Sequence, residues 1–297
     1  MRRERTARSN ADRRMETQQV WLVVNPASGS NAAEAVEALR RMLREAGFAI
    51  MRETAFPDDP APTPEELGRA GIGLVAVYTG DGTINAVVTG LYGWGGAVLV
   101  LPGGTMNLLS RRLHGEHDAD RIIADVAAGR ARRVRPAVAR STAGDALAGL
   151  LAGPGTRWGE VREALRSFDV LETAERAGEA LAETTTGAPV SCIRPRIGSS
   201  EGYPLLAIDP RESGLHVAAY HAETPGEYLS QTWALIRRNF REGPHDDLGA
   251  VPELVIAAAD GTPVSLLVDG EEAEGAAKEH VTLARCGVDL LATAYAE

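Results

Sequence analysis

A carboxylate flanked by two glycines stands where an apolar stretch gives way to an amphipathic one. The apolar residues 74–78 are followed directly by Thr-Gly-Asp-Gly-Thr at 79–83. Glycine lets the backbone approach a ligand closely, and a helix beginning at Thr83 would direct its first amides and its positive dipole end toward an anion. We therefore expect this turn to meet a phosphate group, with Asp81 holding a metal ion or a nearby polar group. The competing interpretation is an ordinary turn, since Asp-Gly pairs commonly make one.

Two more apolar runs end in polar turns of the same kind. Residues 20–24 precede Asn-Pro-Ala-Ser-Gly-Ser at 25–30, and residues 97–101 precede Pro-Gly-Gly-Thr-Met-Asn at 102–107. A helical pattern follows each turn, so the segment is predicted to be a doubly wound α/β unit. Because the carboxyl ends of parallel strands share one edge of such a sheet, the turns should converge on one crevice. Taken alone, each turn could be no more than a helix cap.

The order of these motifs resembles the lipid kinase family that contains diacylglycerol kinases, bacterial lipid kinases and sphingosine kinases. The motifs are Asn-Pro-x-Ser-Gly at 25–29, Gly-Asp-Gly-Thr at 80–83, Pro-x-Gly-Thr-x-Asn at 102–107 and a late Asp-Gly-Glu at 269–271. The likeness is close over residues 20–113 and rests mainly on the last motif in the C-terminal half. It implies a fold like that of NAD kinases and diacylglycerol kinases, and transfer of the γ-phosphate of ATP to a lipid hydroxyl with Mg²⁺.

The resemblance also implies roles for individual residues. Asp269 becomes the first candidate for the general base, and Asp81 would position phosphate or metal, although the reverse assignment stays open. Glu271 would help with proton removal or metal binding, and the metal ligands are not identified. A hairpin turn is the competing interpretation of residues 269–271, because an apolar run precedes them. The nucleotide-binding residues implied are Asn25, Ser28, Gly29, Gly80, Asp81, Gly82, Thr83, Gly104, Thr105 and Asn107.

Three positions depart from the family's pattern. Thr79 replaces the first glycine of the usual Gly-Gly-Asp-Gly, which is tolerable if its hydroxyl donates to a phosphate. Leu108 replaces the acidic residue that often follows Asn107, so a carboxylate is missing from the third turn. Residues 212–214 are Glu-Ser-Gly where bacterial members commonly carry Asp-Asp-Gly, which argues against a structural Mg²⁺ site.

Length and composition predict two domains. At 297 residues the chain is longer than one hydrophobic core usually supports. We expect a disordered basic tail at 1–16, an α/β nucleotide-binding domain at 17–134 and a β-rich lipid or acceptor domain at 135–297, with the extreme C-terminus able to return to the first domain. The predicted fold class is thus α/β followed by a β-rich domain, with two helices near 161–183 and 227–239.

Charge and motif content exclude several classes of function. The formal net charge of −10 argues against nucleic acid as a partner. No Gly-x-x-x-x-Gly-Lys occurs, which excludes a Walker-type site, so phosphate contacts would come from amides, hydroxyls and arginines. Arg111 and Arg112 are candidates for such contacts, the alternative being solvated arginines on a helix surface. Cys192 and Cys286 are expected to be buried and unpaired in a reducing compartment.

The sequence predicts no transmembrane segment, because no apolar stretch approaches the ~20 residues that a spanning helix needs. We therefore expect a cytoplasmic protein that meets its lipid substrate at the membrane surface. Peripheral membrane contact through the arginines of residues 1–16 is an alternative to a solvated tail. A homodimer is left open.

Three functions are compatible with these residues. The leading one is an ATP-dependent lipid kinase acting on a diacylglycerol-like or sphingoid hydroxyl. The second is a kinase of a soluble acceptor, since NAD kinases share a Gly-Gly-Asp-Gly-type turn on a similar architecture. The third is a nucleotide- or lipid-binding protein without catalysis, motivated by Thr79 and Leu108.

Overall fold

A computed structural model describes residues 18–25, 33–154, 187–220 and 245–295. The predicted tail, the two predicted helices near 161–183 and 227–239, and two predicted nucleotide-binding residues, Ser28 and Gly29, lie outside the described residues. The first elements in chain order are β1 (Gln18–Val24), α1 (Ala33–Glu45), β2 (Phe48–Ala55), α2 (Pro64–Ala70), β3 (Leu74–Thr79), α3 (Asp81–Gly90), β4 (Ala97–Pro102), α4 (Leu108–His114), α5 (Ala119–Ala127) and β5 (Arg132–Val134). They are followed by β6 (Ala137–Ser141), β7 (Gly144–Ala146), β8 (Leu150–Ala152), β9 (Val190–Arg194), β10 (Arg196–Ile197), β11 (Leu205–Arg211), β12 (Gly214–Tyr220), β13 (His245–Val251), β14 (Glu253–Ala258), β15 (Ser265–Val268), β16 (Glu271–Glu274), β17 (Lys278–Arg285) and β18 (Asp289–Ala292).

The N-terminal half is built on a six-stranded sheet of order β2-β1-β3-β4-β18-β5. All neighbours in it are parallel except the last pair. Its central strands are almost wholly buried, as is usual for parallel sheets covered on both faces. Apolar residues of α2, α3 and α4 cover one face, and those of α1 and α5 cover the other. This part is therefore doubly wound, as the sequence predicts.

The winding of the sheet reverses between β1 and β3. The chain leaves β1 for β2 on one side and then crosses to β3 on the other side of β1. In open α/β sheets, ligands bind beyond the carboxyl ends of the strands at such a reversal. Asn25 directly follows β1, and Gly80 directly follows β3. The topology thus places the first two turns on either side of the expected crevice.

The C-terminal half contains two antiparallel sheets of six strands each, with orders β10-β9-β14-β17-β6-β7 and β13-β12-β11-β8-β15-β16. Side chains from both sheets share one apolar cluster, which makes this half β-rich, as predicted. Residues 147–149 separate β7 from β8, because their amides leave the ladder and donate to a carboxylate.

The chain passes between the two halves twice, and the two passages are joined. The first lies between β5 and β6 and the second between β17 and β18, and the Cys286 amide donates to the Pro136 carbonyl across 2.9 Å. The last strand, β18, then enters the first sheet between β4 and β5. Both cysteines are buried and unpaired. The predicted fold class is confirmed, and none of the described helices is long and apolar enough to cross a membrane.

Candidate functional site

The turn after β3 ends in a helix that no described side chain caps. Gly80 is the N-cap, with an extended backbone at φ −75° and ψ 166°, and α3 begins at Asp81. The predicted start at Thr83 is therefore wrong by two residues. The first amides of a helix have no partner within it, and the helix dipole favours an anion at this end. Asn25 joins the turn after β1 to this one, since its Nδ2 donates to the Thr83 hydroxyl across 3.2 Å.

The turn after β4 packs directly against the turn after β3. A Cβ atom on Gly103 would lie 2.6 Å from the Thr79 nitrogen, and one on Gly104 would lie 2.7 Å from the Gly80 Cα. Asn107 adopts a left-handed backbone at φ 53° and closes this turn on itself. Its Oδ1 accepts from the Gly104 amide, and its Nδ2 donates to the Gly104 carbonyl, both across 2.8 Å. The side-chain amide of Asn107 thus stabilises the turn to which it belongs.

Asp81 faces the first amides of α4. Its Oδ1 accepts from the Leu109 amide at 3.4 Å, and the residue as a whole is partly exposed. Desolvation and the nearby Asp269 carboxylate raise the pKa of Asp81 to about 7, against the opposing effect of the α4 amides. A carboxyl with such a pKa exchanges a proton near neutral pH.

Asp269 occupies the turn of a β-hairpin. Asp269 and Gly270 have φ values of 50° and 88°, and they connect the paired residues Val268 and Glu271. Positive φ at both central positions is typical of the type I′ turn that Asp-Gly favours. The hairpin that the sequence offered as a competing interpretation is therefore present.

The Asp269 carboxylate is nevertheless turned into the protein and is 5% exposed. Burial raises its pKa, against the effect of its hydrogen bonds. A carboxylate has about four lone-pair positions, and the donors fill all of them in this arrangement. They are the amides of Leu147 at 2.8 Å, Ala148 at 2.7 Å and Gly149 at 3.0 Å, and Asn85 Nδ2 at 2.7 Å.

Glu271 brings the hairpin against the turn after β3. A Cβ atom on Gly82 would lie 2.6 Å from Glu271 Oε1, so the glutamate side chain lies directly on the Gly82 backbone. The structure therefore gathers Asn25, residues 80–83, residues 103–107 and the hairpin carboxylates in one place. Thr105 is exposed on the rim of this group.

Sequence reasoning missed Asn85, which lies one helical turn after Asp81. Its Nδ2 donates to the Asp145 carbonyl at 2.8 Å as well as to Asp269. Residues four apart on a helix share a face, so the spacing from Asp81 could have identified it. The Asp145 side chain is itself held by Tyr92 and by two bonds from Arg140.

Two residues expected near phosphate donate their hydrogen bonds to backbone carbonyls of the protein instead. Thr79 is fully buried, and its hydroxyl donates to the Gly80 carbonyl at 3.2 Å, so the expected phosphate contact is not formed by this hydroxyl. Arg112 is buried and donates to the carbonyls of Ala137, Leu147 and Pro210. It therefore joins α4 to the β-rich half. Arg111 lies beside Glu116 at 3.2 Å.

The described residues contain no cluster of three His, Cys, Asp or Glu side chains that could hold a metal ion. Mg²⁺ commonly uses only one or two protein carboxylates and takes its other ligands from water and substrate phosphates. Asp81 and Glu271 are acidic groups at or beside the turn of residues 80–83, so the donor set fits an ion that arrives with a nucleotide.

Residues 19–139 match the sequence model of the diacylglycerol kinase catalytic domain. The resemblance inferred from the short motifs is thereby confirmed for this segment. A search among curated proteins found no match.

Solved structures extend the likeness of fold to most of the chain. One is a diacylglycerol kinase from Bacillus anthracis strain Sterne, with 15% identity, a TM-score of 0.57, and coverage of 93% of this chain and 97% of the other. Two further structures from that strain, described as candidate diacylglycerol kinases, have TM-scores of 0.61 and 0.58 at 15% identity. They cover 93% and 92% of this chain and 97% and 96% of their own.

Proposed function

We propose that the protein is an ATP-dependent lipid kinase, because residues 19–139 match the sequence model of the diacylglycerol kinase catalytic domain. It would transfer the γ-phosphate to a hydroxyl of a diacylglycerol-like or sphingoid lipid. The observation that supports this most directly is the meeting of the uncapped start of α3 with two carboxylates, Asp81 and Asp269, that come from different halves of the chain.

The nucleotide phosphates would lie at the turn of residues 80–83. The start of α3 supplies backbone amides and a positive dipole end. Gly104 permits the close approach of the neighbouring turn, and Asn107 holds that turn in shape. Asn25, Ser28 and Gly29 remain the proposed contacts of the turn after β1, and Thr105 that of the turn after β4.

We assign proton removal from the lipid hydroxyl to Asp81, which reverses the order expected from the sequence. A base needs a free lone pair and a pKa near the working pH. Asp81 is partly exposed, with a pKa raised to about 7, whereas the oxygens of Asp269 already accept four hydrogen bonds. As Asp81 takes the proton, the lipid oxygen bonds to the γ-phosphorus, and ADP leaves with the electrons of the broken bond.

Mg²⁺ would be held by Glu271 together with the ATP phosphates, which leaves Asp81 free to act as the base. When bound, the ion neutralises charge on the phosphoryl group and aligns it for transfer. The protein's own residues supply the rest: the α3 amides orient the phosphates, and the buried Asp269 keeps the hairpin in place beside them.

The test is transfer of labelled γ-phosphate from ATP and Mg²⁺ to lipids in mixed micelles. The panel would compare diacylglycerol, monoacylglycerol, ceramide, sphingosine and phosphatidylglycerol. Asp81→Asn and Asp269→Asn provide the inactive controls, and Thr89→Ala is the matched control, since its hydroxyl donates to carbonyls of its own helix. We expect one lipid class to be labelled by the parent and by the Thr89 variant alone. Labelling of a water-soluble acceptor without detergent would instead indicate a kinase of that acceptor.

A second candidate is a nucleotide-binding protein without catalysis. It is favoured by the Thr79 hydroxyl, which bonds to Gly80, and by the saturated oxygens of Asp269. ATP binding without transfer to any acceptor, and unchanged in Asp269→Asn, would establish this candidate.

A further inference from the structure

The side-chain amide of Asn85 connects three separate parts of the chain. It belongs to α3, and its Nδ2 donates to the Asp145 carbonyl in β7 at 2.8 Å and to Asp269 Oδ2 in the hairpin turn at 2.7 Å. These partners are 60 and 184 positions away in sequence. A single NH₂ group thus holds the phosphate-facing helix to two elements of the β-rich half.

The chemistry of this position requires a donor. Both partners, a carbonyl and a carboxylate, can only accept when Asp269 is ionised, so they fix which end of the Asn85 amide faces them. An aspartate of the same shape would place a third acceptor between two acceptors. A small apolar residue would leave the Asp145 carbonyl and one Asp269 oxygen each short of a partner.

The two residues that accept from Asn85, Asp145 and Asp269, are themselves held by other hydrogen bonds. The Asp145 carboxylate accepts from Tyr92 at 2.9 Å and from Arg140 through two bonds of 2.8 Å. Asp269 is fixed to the β-rich half by three consecutive amides, at residues 147–149. Asn85 therefore joins a rigid acceptor pair to the helix that begins at Asp81.

We propose that Asn85 is a positioning residue that keeps the Asp-Gly-Glu hairpin in register with Asp81. This proposal rests on the proposed kinase function for its catalytic consequence. Asn85 lies one helical turn from Asp81, and the hairpin supplies the carboxylate that acts on Asp81 through space. Loss of the Asn85 bonds releases the hairpin from α3, so the reacting groups are aligned in a smaller fraction of the molecules.

The kinetic test compares Asn85→Ala and Asn85→Asp with the parent and with Thr89→Ala. A hydrogen bond to a charged group contributes about 1.5–3 kcal/mol, so kcat should fall by about 10-fold to about 100-fold in Asn85→Ala. KM for ATP should change by less than about 3-fold, because Asn85 does not belong to the phosphate-facing turn. In Asn85→Asp, the loss of kcat relative to the parent should be larger at pH 8 than at pH 6. At the lower pH, protonation of one of the two facing carboxylates restores a hydrogen-bond donor. An unchanged kcat in Asn85→Ala, or equal losses in the Thr89 variant, overturns the proposal.

A second readout does not need activity. Hydrogen exchange of the amides at residues 147–149 should become faster in Asn85→Ala and stay unchanged in Thr89→Ala, because Asp269 is the acceptor for these amides. Faster exchange in Asn85→Ala, combined with a parent that labels no acceptor, would support the positioning role and reject the kinase. Unchanged exchange rejects the positioning role whether or not the kinase is active.

Discussion

The backbone of Gly104 lies against the Cα of Gly80, and a Cβ atom on Gly104 would lie only 2.7 Å from it. Two turns that follow different strands are therefore in backbone contact, with no space for a side chain between them. The shape of the turn at residues 80–83 depends on this contact, because moving Gly104 would also move Gly80, the N-cap of α3.

Replacing Gly104 by alanine should separate the two turns. Overpacking against backbone typically costs about 1–3 kcal/mol, so we expect lower thermal stability and weaker ATP binding by calorimetry. Gly90→Ala is the matched control, since a Cβ there has no heavy atom within 4 Å. Gly90 is the last residue of α3, the helix whose N-cap is Gly80. Equal ATP affinity in the Gly104 variant and the parent would show that the contact does not shape the nucleotide site.

Asp81→Asn should lower activity and raise stability. Loss of a general base commonly reduces kcat by about 10²-fold to 10⁴-fold. The parent's kcat/KM should rise with pH through the Asp81 pKa of about 7, and the variant should lack this rise. The Asp81 pKa is raised in the folded protein, so its contribution to stability is complete below 3.8 and is lost as the pH rises through about 7. Chemical denaturation of the variant at pH 8 should therefore give a larger free energy of unfolding. A kcat/KM that still falls at acid pH in Asp81→Asn would assign proton removal elsewhere.

His114 should make the protein sensitive to acid. It is fully buried, its Nδ1 lies 3.0 Å from the Thr293 hydroxyl, and desolvation lowers its pKa from 6.5 to about 4. A lowered pKa means that stability is complete above 6.5 and is lost as the pH falls through about 4. The loss attributable to this group is at most about 3 kcal/mol, at about 1.4 kcal/mol per pKa unit.

Unfolding free energies of His114→Gln and the parent, measured between pH 4 and pH 7, test this expectation. The variant should lose less stability on acidification. His280→Gln is the control, because His280 is exposed and pairs with Glu253 at 3.1 Å. Parallel curves for the parent and the His114 variant would show that this imidazole does not govern the acid limb.

Glu279 should stabilise the β-rich half. It is fully buried, and its oxygens accept from the Thr142 amide at 2.8 Å, the Thr142 hydroxyl at 2.5 Å and the Ala276 amide at 2.6 Å. Glu279→Ala would remove hydrogen bonds to a buried carboxylate and leave a void in its place, at a cost of about 1.5–3 kcal/mol in the free energy of unfolding. Glu272→Ala, at an exposed position of β16 in the other antiparallel sheet, should have little effect in the same denaturation experiment. Similar losses in the two variants would contradict this role.

The local features of the fold could be predicted from the sequence. Continuous apolar runs identified the central strands, and glycines identified the turns after β3 and β4. The start of α3 was misplaced because Gly80 serves as N-cap without a side chain, so the usual capping signal is missing.

The burial of Asp269 was beyond local patterns. Its partners at residues 147–149 are about 120 positions away, and no periodicity reports such a contact. Asp-Gly correctly suggested a turn but could not show that the carboxylate faces inward. Asn85 was accessible in principle through its helical spacing from Asp81.

The placement of β18 has a consequence for the order in which the chain folds. This strand pairs with β4 on one side and β5 on the other, so residues 289–292 close a sheet whose other strands end at residue 134. During synthesis, β4 cannot pair with β18 until the whole β-rich half has been made. Until then the edge of β4 is uncovered, and an uncovered strand edge can pair with other chains. A fragment cut after β5 would leave the β4 edge uncovered permanently, so expression of the N-terminal half alone should give an aggregation-prone product.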